Sequence, residues 1–228
     1  MRRVLLLLVG LAWAWPAVAF TPTEAYEERG RNGWMLRVAP EIAERPEVYR
    51  GMLAFLADRL DAVERAVPAE AAATLKDTVI WLEWAPPGSS GRSVYHVSAG
   101  WLSRNGFNPE KAGGIEITQR LAERAEAAPW ALFHELAHAY QYAVHGRDAP
   151  ELIAAHARAE ASGLYDDVAR TFGSRARAYA LENPREFFAE MSEAFFGRND
   201  YAPFDRAALR ALDPETHDLI ARLWGVDP

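Results

Sequence analysis

The chain has 228 residues, 50% of them hydrophobic, enough to build a substantial core in one large domain or two small ones. Acidic residues outnumber basic ones, 32 to 25, a balance that disfavours nucleic acid and anionic membrane surfaces as partners. There is no cysteine, so disulfides and thiolate ligands are excluded and any metal site must use His, Asp and Glu.

Met1-Arg2-Arg3 precedes an apolar run over residues 4–15 and then Pro16-Ala17-Val18-Ala19. A basic start, an apolar stretch too short to span a bilayer and an A-x-A site predict a signal peptide over residues 1–19, cleaved after Ala19. An uncleaved anchor is the competing reading, and the small residues before Phe20 argue against it. No cysteine follows to carry a lipid. The product is expected to be secreted or periplasmic, with no stable membrane insertion, and to carry 23 basic against 32 acidic residues, a formal charge of −9.

Residues 20–228 contain no internal repeat, low-complexity tract or long linker, and are expected to form a single domain. Strands are predicted over 33–38 (GWMLRV), 78–84 (TVIWLEW), 93–97 and 114–118 (GIEIT), from β-branched and aromatic content and flanking turn residues. Asn105-Gly106 and Asn108-Pro109 mark turns between the last two. An amphipathic helix is predicted over 47–67, closed by Pro68. From residue 121 to 224 the pattern is helix interrupted by Pro and Gly, with helices over 129–145, 151–172, 184–196 and 205–224. Pro129 and Gly146 bracket the first as expected for a helix, and Asn183 caps the third. Sheet first and helices after predict an α+β fold.

His134-Glu135-Leu136-Ala137-His138 fits H-E-x-x-H on the helix that starts at Pro129. Residues four apart lie about 40° apart around a helix, so both imidazoles leave one face and can meet one ion. Glu135 adjoins them and can reach a water beside the metal without ligating it, which is what the motif needs of a general base. The bland alternative is a solvated surface pair. Phe133, Leu136, Ala137 and Tyr140 around the histidines argue for a buried face, where a His pair needs a partner.

A catalytic zinc site needs a third protein ligand and an open fourth position. The metzincin pattern fails, because its third His would fall on Val144 and its glycine on Gln141. His145 would sit roughly 10 Å along the axis from His138, and is expected to be a helix-end cation or rim residue. His96 and His156 have no motif around them and are expected to be structural or exposed. Downstream, Glu186 and Glu190 lie four apart on a helix whose other face carries Phe187, Phe188, Met191 and Phe195. One carboxylate could ligate zinc while the other accepts an N–H from a ligand imidazole. Equally, Asn183-Pro184-Arg185-Glu186 is a capping box in which Glu186 bonds back to the cap. Spacing leaves both readings open.

H-E-L-A-H followed by Y-x6-E-F-F-A-E resembles the catalytic centre of the anthrax lethal factor type of gluzincin peptidase. The resemblance covers about residues 134–145 and 179–197. It implies a zincin-like fold, Zn2+ held by His134, His138 and Glu186, Glu135 as base, Glu190 hydrogen-bonded behind a ligand, and Tyr179 stabilising the transition state. An aromatic such as Tyr179 is otherwise most often core. The remainder, with W-x-x-x-H-E-L-A-H-A-Y and F-F-G-R-N-D-Y-x-P-F, is similar to secreted bacterial and fungal proteins that keep this metal centre. The toxin's additional domains have no counterpart here, so its substrate does not carry over.

The expected activity is zinc-dependent hydrolysis of a peptide or protein, with strand 114–118 at the sheet edge, offering itself to an extended substrate by β-addition. Competing readings are a secreted zinc module without catalysis, an enzyme cutting a non-protein amide, and a binding protein with an incidental motif. Glu135 argues against the first, because a structural site has no use for that carboxylate.

Overall fold

A computed structural model of the chain describes residues 20–88, 91, 93–123 and 129–227; the expected signal peptide at 1–19 lies outside them. The chain enters through a hairpin of β1 (Glu27–Arg31) and β2 (Trp34–Val38). Its two-residue turn, Asn32-Gly33, has positive φ at both positions, 48° and 89°, the conformation Asn and Gly tolerate best in a tight hairpin. β1 had no sequence signal: EERGR has no apolar alternation and is almost wholly exposed, as suits a charged sheet edge. β2 alternates, burying Trp34, Leu36 and Val38.

Two helices follow, α1 (Pro40–Ala43) and α2 (Pro46–Ala66). α2 agrees with expectation and buries Met52, Leu56, Leu60 and Val63 at helical spacing. Pro68 ends it, and the next helix, α3 (Ala69–Lys76), starts directly after that proline. β3 (Ile80–Glu83) runs parallel to β2. β4 (Ser93–Tyr95), the Ser98-capped α4 (Ala99–Arg104) and β5 (Ile115–Thr118) complete the sheet.

The sheet order is β1-β2-β3-β5-β4, with β4 antiparallel to β5 and β5 parallel to β3. The expected edge role of residues 114–118 is therefore corrected. β5 is interior, with all four residues buried, and the edge is β4. Ile80, Leu82, Ile115 and Ile117 point to the main core, while Trp81 packs with Tyr26, Val79 and Ala39 in a smaller cluster. Lys111 and Glu116, each 5% exposed, form an ion pair at 2.8 Å, with Glu83 on the same ammonium, Tyr26 on Glu83, and the His96 imidazole 3.2 Å from Glu116. Burial opposes the charge on Glu116, but the His96 hydrogen bond and Lys111 outweigh it and hold the carboxyl at about 2.

The helical half begins with α5 (Gln119–Glu123) and α6 (Ala131–Tyr140), which passes into a π turn over Gln141–His145 and stops at Gly146, φ 77°. α7 (Pro150–Ser162) ends ten residues before the expected 172, because Gly163 takes a left-handed φ of 68° and closes the helix. A small hairpin of β6 (Val168–Ala169) and β7 (Arg175–Ala176) begins inside the stretch expected as helix and runs past its end at 172. α8 (Pro184–Phe196) matches expectation, capped by Asn183. The expected last helix is two, α9 (Arg206–Leu212) and α10 (Pro214–Leu223). Proline cannot continue a helix, and the Asp213 side chain caps a new one by accepting from the Thr216 amide at 3.0 Å.

The architecture is α+β, as expected, with one core cluster running from Trp34 to Trp224. α6 and α8 pack side by side. Trp224 stacks at 4.0 Å on Tyr140 of α6 and at 5.8 Å on Phe188 of α8, and its indole N–H donates to Ser192 at 2.9 Å. No helix among the described residues is long and apolar enough to cross a membrane.

Candidate metal centre

α6 turns Leu132, Phe133, Leu136 and Ala137 into the core. The remaining face carries His134 and His138 one turn apart, their rings 4.8 Å apart and edge to face. α8 supplies the third group. The His134 Nε2 lies 3.0 Å from Glu186 Oε2, and His138 Nε2 lies 3.3 Å from the same oxygen. Donor atoms around a tetrahedral zinc, with bonds of about 2.1 Å, stand roughly 3.4 Å apart, so the carboxylate oxygen already stands at about that spacing from each imidazole nitrogen, and all three atoms lie within 4.8 Å of one another. All three side chains are under 20% exposed. Burial works against the Glu186 charge, yet hydrogen bonds from both histidines hold its carboxyl far below the usual range.

The capping-box alternative is resolved by direct geometry. Asn183 Oδ1 accepts from the amides of Arg185 and Glu186 at 3.0 and 3.2 Å, so the cap residue does its part alone. The Glu186 carboxylate turns to the histidines.

Behind His134 stands a pair of buried acids. Its Nδ1 is 2.8 Å from Glu193 Oε1 and 3.6 Å from Glu190 Oε1. Only the first is a hydrogen bond. Nδ1–H donating to Glu193 leaves Nε2 as the nitrogen that would meet a metal, in place of its present contact with Glu186. The expected partner was Glu190, and the structure corrects this: Glu193 makes the bond. Glu186, Glu190 and Glu193 form an i, i+4, i+7 stripe, a signal legible in the sequence but read only as far as its second member. Glu190 is 3% exposed, and burial together with the neighbouring Glu193 charge pushes it up to about 8. Burial likewise raises Glu193. A second grouping of possible ligands, His134, Glu190 and Glu193, uses this rear nitrogen and is the orienting shell of the first.

Glu135 is placed by the sheet. Its Oε2 accepts the backbone N–H of Tyr95, on β4, at 2.8 Å, while its Oε1 has no hydrogen-bond partner among the described residues. Tyr179 lies in a single 3-10 turn, Tyr179–Leu181, just before α8. Its ring is 6.3 Å from that of His134 and 44% exposed, so it is not a core residue. Burial, then the Glu186 charge, raise its phenol, which therefore stays a hydrogen-bond donor.

The remaining histidines do other work. His145 Nε2–H donates to the Leu223 carbonyl oxygen at 2.9 Å, tying the π turn at the end of the helix to α10. His96 belongs to the buried ion network described above, and His156 is 8% exposed on α7.

Beside the centre opens a cleft of about 530 Å³. His134, Glu135 and Tyr179 line it together with Ser93, Arg170 and Phe172, whereas His138 and Glu186 do not. Arg170 and Phe172 belong to the β6–β7 hairpin, whose first half falls within the stretch expected as helix up to 172. Comparison of the chain with protein-family models, with curated proteins and with solved structures returned no match.

Proposed function

We propose that this protein is a zinc-dependent peptidase of zincin-like build, exported on its N-terminal leader. The observation that carries the reading is the joint placement of His134, His138 and Glu186 at ligand spacing with a fourth group, Glu135, beside them at the floor of an open cleft. A purely structural site would close its fourth position with another ligand. Among the described residues the group has three members and no fourth.

A zinc ion held by this trio supplies an acidified water and a Lewis acid for the scissile carbonyl. The chain's own residues do the rest. Glu135, fixed through one oxygen by the Tyr95 amide, keeps its other oxygen to take a proton from the attacking water and return it to the leaving amine. Glu193 holds His134 in the tautomer that leaves Nε2 unprotonated. Tyr179, protonated and half-exposed beside His134, offers an O–H to the oxygen that gains charge. β4 pairs with β5 on one side only. His96 N–H donates to the Gly114 carbonyl and Tyr95 N–H to Glu135, so the ladder alternation turns residue 93, which lines the cleft, away from β5, where an extended substrate could add as a strand.

The test is a digest of a broad peptide mixture, read by mass spectrometry, with wild type and Glu135→Gln compared. Glutamine keeps the shape but cannot accept the proton, so both proteins are expected to hold about one zinc per chain, and Glu135→Gln to lose hydrolysis by roughly 10²- to 10⁴-fold. Identical products from both would identify a contaminant, and no cleavage by either would leave a zinc module without catalysis as the better reading.

A further inference from the structure

The β6–β7 hairpin is fixed at its base and open at its tip. Arg170 N–H donates to the Ser174 carbonyl at 2.8 Å and Gly173 N–H to the Arg170 carbonyl at 3.0 Å, with Gly173 at φ 81° completing the turn. The following segment grips its flank: Thr171 N–H donates to Asp200 O at 3.0 Å, Ala202 N–H to Ala169 O at 2.8 Å, and the Arg170 guanidinium lies 4.8 Å over the Tyr201 ring. The backbone around Phe172 is thus pinned on both sides. Its side chain is 75% exposed, the most exposed large hydrophobic group among the described residues, and it lines the cleft beside the metal centre.

An aromatic side chain carried on a braced turn beside the cleft asks little backbone ordering of a ligand complex, and its ring has only two torsions to fix. Leu121, Ala131 and Tyr179 add apolar surface to the same cleft. We propose that Phe172 is the specificity-determining residue of this site: an extended peptide lies between β4 and the hairpin, and Phe172 selects one with a bulky aliphatic or aromatic side chain next to the cleavage point. This inference rests on the peptidase reading for its chemistry, but peptide capture by Phe172 stands or falls without it.

Two measurements separate the cases. First, zinc-loaded Glu135→Gln protein is used to capture peptides from a randomised library, alongside Glu135→Gln/Phe172→Ser. The single variant is expected to enrich bulky apolar residues at one position, and the double variant to lose that preference while keeping its zinc content and Tm. Equal enrichment in both, or no enrichment in the single variant, overturns the proposal. Second, Phe172→Ser alone is assayed on peptides that wild type cleaves, where kcat/KM for apolar-side-chain substrates is expected to fall roughly tenfold to a hundredfold, chiefly through KM, and replacement by Leu to restore most of it. Unchanged kcat/KM overturns the proposal, whereas Phe172-dependent capture by a wild-type protein that cuts nothing would overturn the peptidase reading and leave this one standing.

Discussion

The geometry behind His134 makes a prediction that separates two acids only one turn apart on α8. Glu193 reaches the imidazole Nδ1 at 2.8 Å, whereas Glu190 stops at 3.6 Å. Removing a group that hydrogen-bonds a metal-ligating histidine typically lowers metal affinity by about ten- to a hundredfold, or about 1.4 to 2.8 kcal/mol. Glu193→Ala is therefore expected to raise the zinc Kd by that factor. Glu190→Ala, which breaks no hydrogen bond to the ring, should change it by less than about threefold, since at that distance the bond is not made. Glu193→Gln keeps an acceptor oxygen and should recover part of the loss. The assay is competition for zinc against a chromophoric chelator at fixed pH, with Tm measured on each apo-protein so that lost folding is not read as lost affinity. Affinity unchanged in Glu193→Ala, with the loss appearing in Glu190→Ala, would refute the argument and return the bond to the residue expected from sequence.

Glu186→Ala should abolish stoichiometric zinc by elemental analysis while leaving the far-ultraviolet circular dichroism intact, because Asn183 alone caps α8; retained zinc would remove Glu186 from the ligand set. Tyr179→Phe should keep zinc and lower kcat by up to roughly a hundredfold, as for other lost oxyanion donors, and normal turnover would reduce Tyr179 to a wall residue. Glu116 binds its proton more weakly folded, at about 2, than at its ordinary 4.5. The stability it contributes, roughly 3 kcal/mol, is full above pH 4.5 and lost as pH falls towards 2. Urea unfolding of wild type and Glu116→Gln should differ by about that amount near neutrality and converge in acid; a constant gap would contradict the ion-network account.

How much of this was legible beforehand follows from how local each signal is. His134 and His138 were, because helical periodicity alone sets two side chains four apart on one face. Glu186 was legible only as a cap or a ligand, since a carboxylate at the first turn of a helix satisfies both patterns and the choice depends on α6, which lies far away in sequence. The order of the sheet was not legible at all: GIEIT is apolar enough for an interior strand and short enough for an edge, and only the return of the chain after α4 places β5 inside β4. β1 escaped because a Glu- and Arg-rich stretch carries no alternation, and the β6–β7 hairpin because two-residue strands are too short to show any. Their strands are held by turn geometry and by neighbours rather than by burial of one face. Gly163 was the available warning that the helix over 151–172 had to stop, and Pro214 the warning that the last one had to divide.

The ion network beneath the sheet has a practical consequence, because the sequence contains only two lysines, Lys76 and Lys111. Lys76 is paired with Glu64 at 2.9 Å with its side chain 28% exposed, and Lys111 is 5% exposed between Glu83 and Glu116. Amine-reactive reagents therefore have one accessible side-chain target in the folded chain and two in the unfolded one. Acylation of Lys111 becomes a chemical clock for opening of this part of the sheet, one that requires no engineered probe.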